Sequence, residues 1–337
     1  MNSDIILKNV MGANLTEEEA EELLVYLVNE NVTEATKASV LSTLYIKGES
    51  LSEISGFSRG LRKFSPLTRI PGLTDIVGTG GDHKNTINVS TAASIVCSAL
   101  KIKVAKHGNR SVTGLMGSAD FLERIGYEFQ KDNETVKGEI SKHSFTFILA
   151  PLHNSAFSKF SSVRKKLQFR TIFNLMGPIT NPLDPDIIIV GVAGGIDPFT
   201  YAEVMRNQKK TGYVITAEDG TDEISIGSDT KVLQVNDSIR EFTIKSDQII
   251  GRYYDLDCVT ADNRDDLYMK TIEGISGKDD ACSKFIALNA APAIISNGLT
   301  QNFSDAYELA IRAIRNGSAL QKLREIGKIK EANLSGS

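Results

Sequence analysis

The stretch from Leu73 to Gly126 constrains what this chain can fold into more than any other. It carries two consecutive copies of one plan: a short apolar strand, a loop of glycine and small polar residues, and a helix. In the first copy Asp75–Val77 leads into Gly78-Thr79-Gly80-Gly81-Asp82, and Asn88-Val89-Ser90-Thr91 opens an apolar helix that runs through Leu100. In the second, Ile102–Ala105 leads into Lys106-His107-Gly108-Asn109-Arg110-Ser111, and a helix begins near Gly117-Ser118. Strand and helix in alternation predict an α/β fold around a mostly parallel sheet.

The same stretch predicts anion binding. Glycine permits positive φ and lets a ligand approach the main-chain N–H groups. Free N–H groups at a helix start, with the positive end of the helix dipole behind them, favour a bound phosphate. Ser90, Thr91, Ser111 and Ser118 add hydroxyls, and Lys106 and Arg110 add positive charge. Two anion cradles side by side are the expected result. Asp82 and the acidic residues farther along oppose a bare anion, so a divalent metal is implied. The chain has no G-x-x-x-x-G-K-[ST], and GTGGD does not complete G-x-G-x-x-G, which argues against an ordinary nucleotide P-loop or dinucleotide fingerprint.

Composition bounds the class. The 337 residues are ample for a large core divided between a small and a large domain. A net charge of −4 gives no general attraction to nucleic acid or to an anionic membrane. Three cysteines, Cys97, Cys258 and Cys282, are odd in number, widely spaced and without C-x-x-C. They predict neither a disulfide framework nor a zinc site, and a reducing cytoplasm is expected. No secretory leader or membrane span is expected.

Residues 1–65 read as a small helical domain. Thr16 and Glu19 form a capping box ahead of Leu23, Leu24, Leu27 and Val28. Thr33 caps a second helix with a stripe of Val40, Leu41, Leu44 and Tyr45, stopped by Gly48. Ser50 or Ser52 begins a third with Ile54, Phe57 and Leu61. The domain is expected to be completed by about 155–180. Residues 70–150 and 185–330 are expected to form the large α/β domain.

Beyond the cradles, Phe145–Leu149 reads as a buried strand ending in Ala150-Pro151-Leu152-His153-Asn154, and ligands lie beyond the carboxyl ends of such strands. Ser162–Leu167 reads as a basic helix, and Gly177–Pro182 as a connection able to serve as a hinge. Ile187–Val192 and Tyr213–Thr216 are further strands, flanking a helix from about Asp197 to Lys210. The segment from Ala217 to Ser225 holds four carboxylates at a strand end, which reads as a solvated acidic turn or a metal site. Strands around Val232 and Phe242 follow. Cys282–Ile295 reads as a core helix, and the residues from about Ala332 as disordered.

Taken together, the motifs resemble the anthranilate phosphoribosyltransferase family. The resemblance rests on GTGGD, NVST, KHGNRSV and GSAD, and continues through VRKKL at Val163–Leu167, RTIFNLMGPITNP at Arg170–Pro182, DEIS at Asp222–Ser225 and LNAAPAI at Leu288–Ile294. The order is that of the family over nearly the whole chain. It implies a small helical domain joined to an α/β domain of the nucleoside phosphorylase and phosphoribosyltransferase type. It also implies transfer of a phosphoribosyl group from phosphoribosyl diphosphate to anthranilate, with Mg2+, in a homodimer formed through the helical domain.

By the same resemblance, Gly78, Gly81, Asp82, Thr86, Asn88, Val89, Ser90 and Thr91 hold the sugar diphosphate from the first loop. Lys106, His107, Gly108, Asn109, Arg110, Ser111, Thr113, Gly114 and Ser118 hold it from the second, Lys106 acting electrostatically. Gly78, Asn109 and Arg164 orient anthranilate, the guanidinium of Arg164 pairing with the carboxylate. Ser90, Asp222 and Glu223 hold magnesium. No residue is assigned as acid or base, because an aromatic amine is already neutral at pH 7; His107 is expected to be a hydrogen-bonding or stacking residue. The chain departs from the family at Thr113-Gly114, where Ser-Ser is usual, at Leu115-Met116, and at Asn154-Ser155, where His-Pro is usual. A pyrimidine nucleoside phosphorylase and a nucleic-acid-binding relative are the alternatives. The first predicts phosphate-dependent nucleoside cleavage and the second a basic groove.

Overall fold

The computed structural model describes residues 3–111, 114–129, 132–193 and 195–327. It divides into two compact units: the chain up to Arg69 together with Ala150–Asp184, and Ile70–Leu149 together with the chain from Pro185 onward. The expectation for the residues from Ala332 falls outside the described residues. None of the described helices is long and apolar enough to cross a membrane.

The first unit is helical. It opens with α1 (Ser3–Val10), α2 (Glu17–Leu27), α3 (Glu34–Lys47) and α4 (Leu51–Arg62). Thr16 accepts the Glu19 N–H at 3.2 Å while the Glu19 carboxylate accepts the Thr16 N–H at 2.8 Å, and Ser50 and Glu53 repeat this box at α4. Gly48 ends α3 at φ +78°. Helices α2 and α4 pack with their backbones close, because a Cβ at Gly56 would stand 2.3 Å from the Glu17 carbonyl. Glu53 is fully buried but satisfied, taking Lys47 at 2.5 Å and the Leu15 N–H at 3.0 Å. Tyr45, expected in the core stripe, instead lies at its edge, half exposed, with its ring stacked on Phe169 at 4.9 Å. The basic helix Ser161–Leu167 belongs to this unit.

The second unit is built on a seven-stranded sheet among the described residues, in the order β3-β2-β1-β4-β5-β6-β7. The strands are β1 (Thr74–Gly78), β2 (Val104–Gly108), β3 (Phe145–Leu149), β4 (Ile187–Gly191), β5 (Thr211–Ala217), β6 (Thr230–Val235) and β7 (Ile239–Ile244). The first five are parallel and the last two antiparallel. Helix α5 (Val89–Ala99) follows β1, and α6 (Ser118–Arg124) follows β2. The apolar core helix Asp280–Ser296 packs against α5. Strand order reverses at β1, between β2-β3 on one side and β4-β5 on the other, and this is where an open α/β sheet forms its crevice.

Two details of the sheet open that crevice. Strands β1 and β4 run in full register to Gly78 opposite Gly191, whereas β1 and β2 pair only at Thr74 opposite Val104. Beyond that point the Asp75 carboxylate accepts the His107 N–H at 3.0 Å, taking the place of a main-chain partner. Lys106 and His107, read from sequence as loop, are therefore part of β2, and both are buried.

Candidate active site

A cavity of about 380 Å3 lies at the carboxyl ends of β1 and β2. Its first wall is the loop after β1. Gly80 and Gly81 sit at φ +67° and +83°, a backbone that only glycine adopts freely. The Thr79 N–H is bound to the Gly191 carbonyl at 2.9 Å, and the Gly80 N–H to Asp222 Oδ2 at 2.8 Å. The loop delivers the chain to the N-terminus of α5. There the Asn88 amide reaches the Met116 carbonyl at 3.0 Å, leaving Val89, Ser90 and Thr91 in the first turn uncapped by a side chain. Asn88 Oδ1 and Thr91 Oγ1 are buried without a hydrogen-bond partner among the described residues. Such orphaned groups mark a place for a polar ligand.

The second wall is the end of β2 and the loop after it. Lys106 is 1% exposed, and its ammonium donates to the Ile76 carbonyl at 2.6 Å and to Ser90 Oγ at 3.1 Å. Burial lowers its pKa to about 8, opposed by the negative charge of Asp75, Asp222 and Glu223. At Gly108 a Cβ would stand 2.9 Å from the Phe147 ring and 3.3 Å from Ser118 Cβ, so glycine is required for β2, β3 and α6 to meet. Asn109 turns its side-chain oxygen onto the Arg110 N–H at 2.8 Å, and Ser111 donates to the Gly114 carbonyl at 2.5 Å. Arg110 lines the cavity, but its guanidinium forks onto Glu123 at 2.6 and 2.7 Å and reaches Asp120 at 3.3 Å. Its charge is thus shared with those two carboxylates at the edge of the cavity. Thr113 lies outside the described residues.

The third wall is acidic. Asp222 and Glu223, on the turn after β5, face Asp82 across the cavity. Burial, then the neighbouring Asp82, pushes Asp222 up to about 6. Glu223 is held well above the ordinary carboxyl range by burial, with Asp222 and Asp82 adding to it; Thr86 donates to it at 3.2 Å. Asp82 is raised by burial. Three crowded carboxylates at the mouth of an anion cradle are unfavourable without a cation. All three are hard oxygen donors, which suits magnesium. Among the described residues no set of three or more His, Cys, Asp or Glu side chains is arranged to enclose an ion by itself. An ion here would complete its shell with substrate oxygens and water.

The structure therefore brings Gly78, Gly81, Asp82, Thr86, Asn88, Val89, Ser90, Lys106, His107, Gly108, Asn109, Ser111, Gly114, Ser118, Asp222 and Glu223 around one cavity, while Thr91, fully buried in the first turn of α5, is not part of its lining. Sequence reasoning missed Asp120, which accepts the Ser111 and Gly117 N–H groups at 3.0 and 2.9 Å and so holds the second loop. The Asp in GSAD at the third position of a helix was the available signal.

Arg164 lies in the helical unit. It borders an open depression with Ser161, Gln168, Phe169, Arg170 and Asn174, and its guanidinium is 5.5 Å from the centre of the Phe173 ring. Arg170 beside it is paired with Glu49 at 2.9 Å, while Arg164 has no carboxylate within reach among the described residues. Burial alone lowers its pKa. A partly buried guanidinium with no carboxylate beside it is available to an anion. Asn154, at the departure from the family pattern, is buried and spends its amide on the Leu61 carbonyl at 2.9 Å and the Ala156 N–H at 3.1 Å.

A helical bundle, an α/β sheet and a phosphate cradle backed by carboxylates define a glycosyl transferase. The sequence matches the glycosyl transferase family's a/b domain over residues 71–320 and its helical bundle domain over residues 3–65. It is 42% identical to the anthranilate phosphoribosyltransferase of Picrophilus torridus over 97% of this chain and 98% of that protein. The anthranilate phosphoribosyltransferase of Thermus thermophilus superposes with a TM-score of 0.89 at 30% identity, over 96% of this chain and 98% of that one. The Saccharomyces cerevisiae enzyme, solved in complex with PRPP and Mg, shares the fold at a TM-score of 0.83 and 22% identity, over 97% and 98% of the two chains. The chain belongs to the anthranilate phosphoribosyltransferases of this family.

Proposed function

We propose that the chain transfers the phosphoribosyl group of phosphoribosyl diphosphate to the amine of anthranilate, giving N-(5-phosphoribosyl)anthranilate and diphosphate in tryptophan biosynthesis. The observation that carries this reading is one cavity in which main-chain N–H groups and a buried ammonium meet three crowded carboxylates. That combination suits a diphosphate accompanied by a cation.

In the reaction the amine nitrogen bonds to C1 of the ribose as the C1–O bond to diphosphate breaks; the electron pair leaves with diphosphate and the nitrogen then sheds its proton. The developing negative charge is the main barrier, and fixed donors aimed at it lower that barrier most. The first-turn N–H groups of Ser90 and Thr91 and the ammonium of Lys106 supply them, the Val89 N–H being bound to the Ile87 carbonyl. Asn88 Oδ1, an acceptor in want of a donor, suits a ribose hydroxyl. Gly81, Asp82 and Thr86 edge the first cradle, and Gly108, Asn109, Ser111, Gly114 and Ser118 form the second. Arg110 serves by holding that second loop to Glu123 and Asp120. Magnesium held by Ser90, Asp222 and Glu223 would neutralise the departing diphosphate. Arg164 takes the carboxylate of anthranilate, and no side chain need act as a strong base.

Arg164 provides the test. Arg164→Ala is expected to raise the anthranilate KM about 10–100-fold, the worth of a charged hydrogen-bonded pair of ~1.5–3 kcal/mol, with the KM for phosphoribosyl diphosphate unchanged. Consumption of anthranilate, followed by its fluorescence in the presence of Mg2+, reports both constants. An unchanged anthranilate KM would remove Arg164 from the site.

The same reading includes a homodimer formed through the helical unit, working in a reducing cytoplasm where the free Cys97, Cys258 and Cys282 stay thiols. Its support is apolar surface on α1, the turn after it and the C-terminal end of α3: Leu7, Met11 and Ile46 are 58%, 76% and 81% exposed. Ile46→Glu is expected to convert a dimer to monomer in sedimentation velocity at micromolar concentration. A wild-type monomer would refute the assignment.

A further inference from the structure

Asn289 stands in the middle of the Asp280–Ser296 helix, and every other residue from Phe285 to Ala293 is apolar and buried. An amide in such a place is costly unless its bonds are met. Here two of its three bonds go to one residue. Oδ1 accepts the Ile224 N–H at 2.8 Å, and Nδ2 donates to the Ile224 carbonyl at 3.0 Å and to the helix's own Phe285 carbonyl at 2.9 Å. Both main-chain groups of Ile224 are held by one side chain, as a neighbouring strand would hold them. Ile224 directly follows Glu223.

The other end of the turn is clamped as well. The Asp219 carboxylate gathers the Thr221 N–H at 3.1 Å, the Thr221 hydroxyl at 2.9 Å and the Ser225 hydroxyl. Asp222 and Glu223 lie between the two clamps. A small cavity of about 40 Å3, bordered by Asn289, Gly78, Ser90, Gly191, Asp222 and Glu223, adjoins the carboxylates. Packing on that side is incomplete, so the two like charges depend on the main chain of the turn to stay in place.

We propose that Asn289 is a positioning residue for the divalent cation: its grip on Ile224 holds Asp222 and Glu223 in the arrangement that binds the metal. The proposal rests on the magnesium reading above. Groups that orient a ligand from outside a metal's own shell commonly govern its affinity by 10–100-fold.

The test compares wild type, Asn289→Ala and Asn289→Ser as full-length chains, measuring Mn2+ binding in the presence of phosphoribosyl diphosphate from the electron paramagnetic resonance signal of free Mn2+. Thermal melts run alongside. Asn289→Ala is expected to weaken Mn2+ binding on the order of 10-fold or more. Asn289→Ser retains a hydroxyl able to bond the turn, serves as the second variant should the alanine chain not fold, and is expected to weaken binding in the same direction. A folded variant that binds Mn2+ within twofold of wild type overturns the proposal, whatever its melting temperature, since lost packing alone moves stability and not metal affinity. Wild type that binds no Mn2+ under these conditions removes the magnesium reading and this proposal with it.

Discussion

Lys106→Met is expected to lower kcat/KM for phosphoribosyl diphosphate about 10²–10³-fold, ~2.7–4 kcal/mol, the cost of removing one preorganised donor from a developing anion. Methionine keeps most of the length of the side chain without its charge and so separates charge from packing. The ammonium it replaces holds Ser90 Oγ at 3.1 Å and lies in the field of Asp75, Asp222 and Glu223. Without it those carboxylates meet no buried cation, and the incoming diphosphate enters a field of its own sign. Lys106→Arg is expected to fail too, because a side chain that is 1% exposed leaves no room for a planar fork. Steady-state kinetics with each substrate varied, beside circular dichroism to verify the fold, gives the measurement. A methionine variant within fivefold of wild type would mean that the N–H groups of α5 suffice.

What could be read from the chain, and what could not, follows from how local each signal is. The capping box at Thr16 is complete within four residues and stands as read, while Ser50, one of the two starts read for the third helix, turns out to carry a second box. GTGGD was legible because the positive φ of Gly80 and Gly81 is a property of the loop itself. Strand β2 was placed too early because Lys106 and His107 are polar in sequence, while their burial depends on Asp75, about thirty residues away. The pairing of Arg110 was hidden for the same reason: Glu123, which it meets, lies on the next helix. Asn289 gave no signal, since one amide in an alanine-rich helix looks like tolerated core, and its partner Ile224 is on another element. Local backbone chemistry was visible; charges and amides whose partners arrive only through the fold were not.

Gly191→Ala is expected to be as damaging as any change to a ligand residue, although Gly191 offers no side chain to substrate. The β1–β4 register sets Gly78 beside Gly191, and the acidic turn sits over both. A Cβ at Gly191 would lie 1.6 Å from the Asp222 carbonyl oxygen and 3.2 Å from Asp222 Cβ, and one at Gly78 would lie 2.3 Å from Asp222 Oδ2. The obstacle at Gly191 is backbone, so no rotamer change relieves it. The turn must move by more than an ångström, against the clamps of Asp219 and Asn289 and against the Gly80 N–H that holds Asp222. Overpacking of this kind costs about 1–3 kcal/mol in stability. The catalytic loss is expected to be larger, about 100-fold or more in kcat, because an ångström of misplacement at a positioned group has that effect. Gly138→Ala is the control. Its Cβ would meet nothing within 4 Å on the solvent side of the Asn133–His143 helix, and the change should raise stability by up to ~1 kcal/mol with kinetics unaltered. Wild-type kinetics in Gly191→Ala would show that the acidic turn is free to shift, and that its two carboxylates find their cation without a fixed seat.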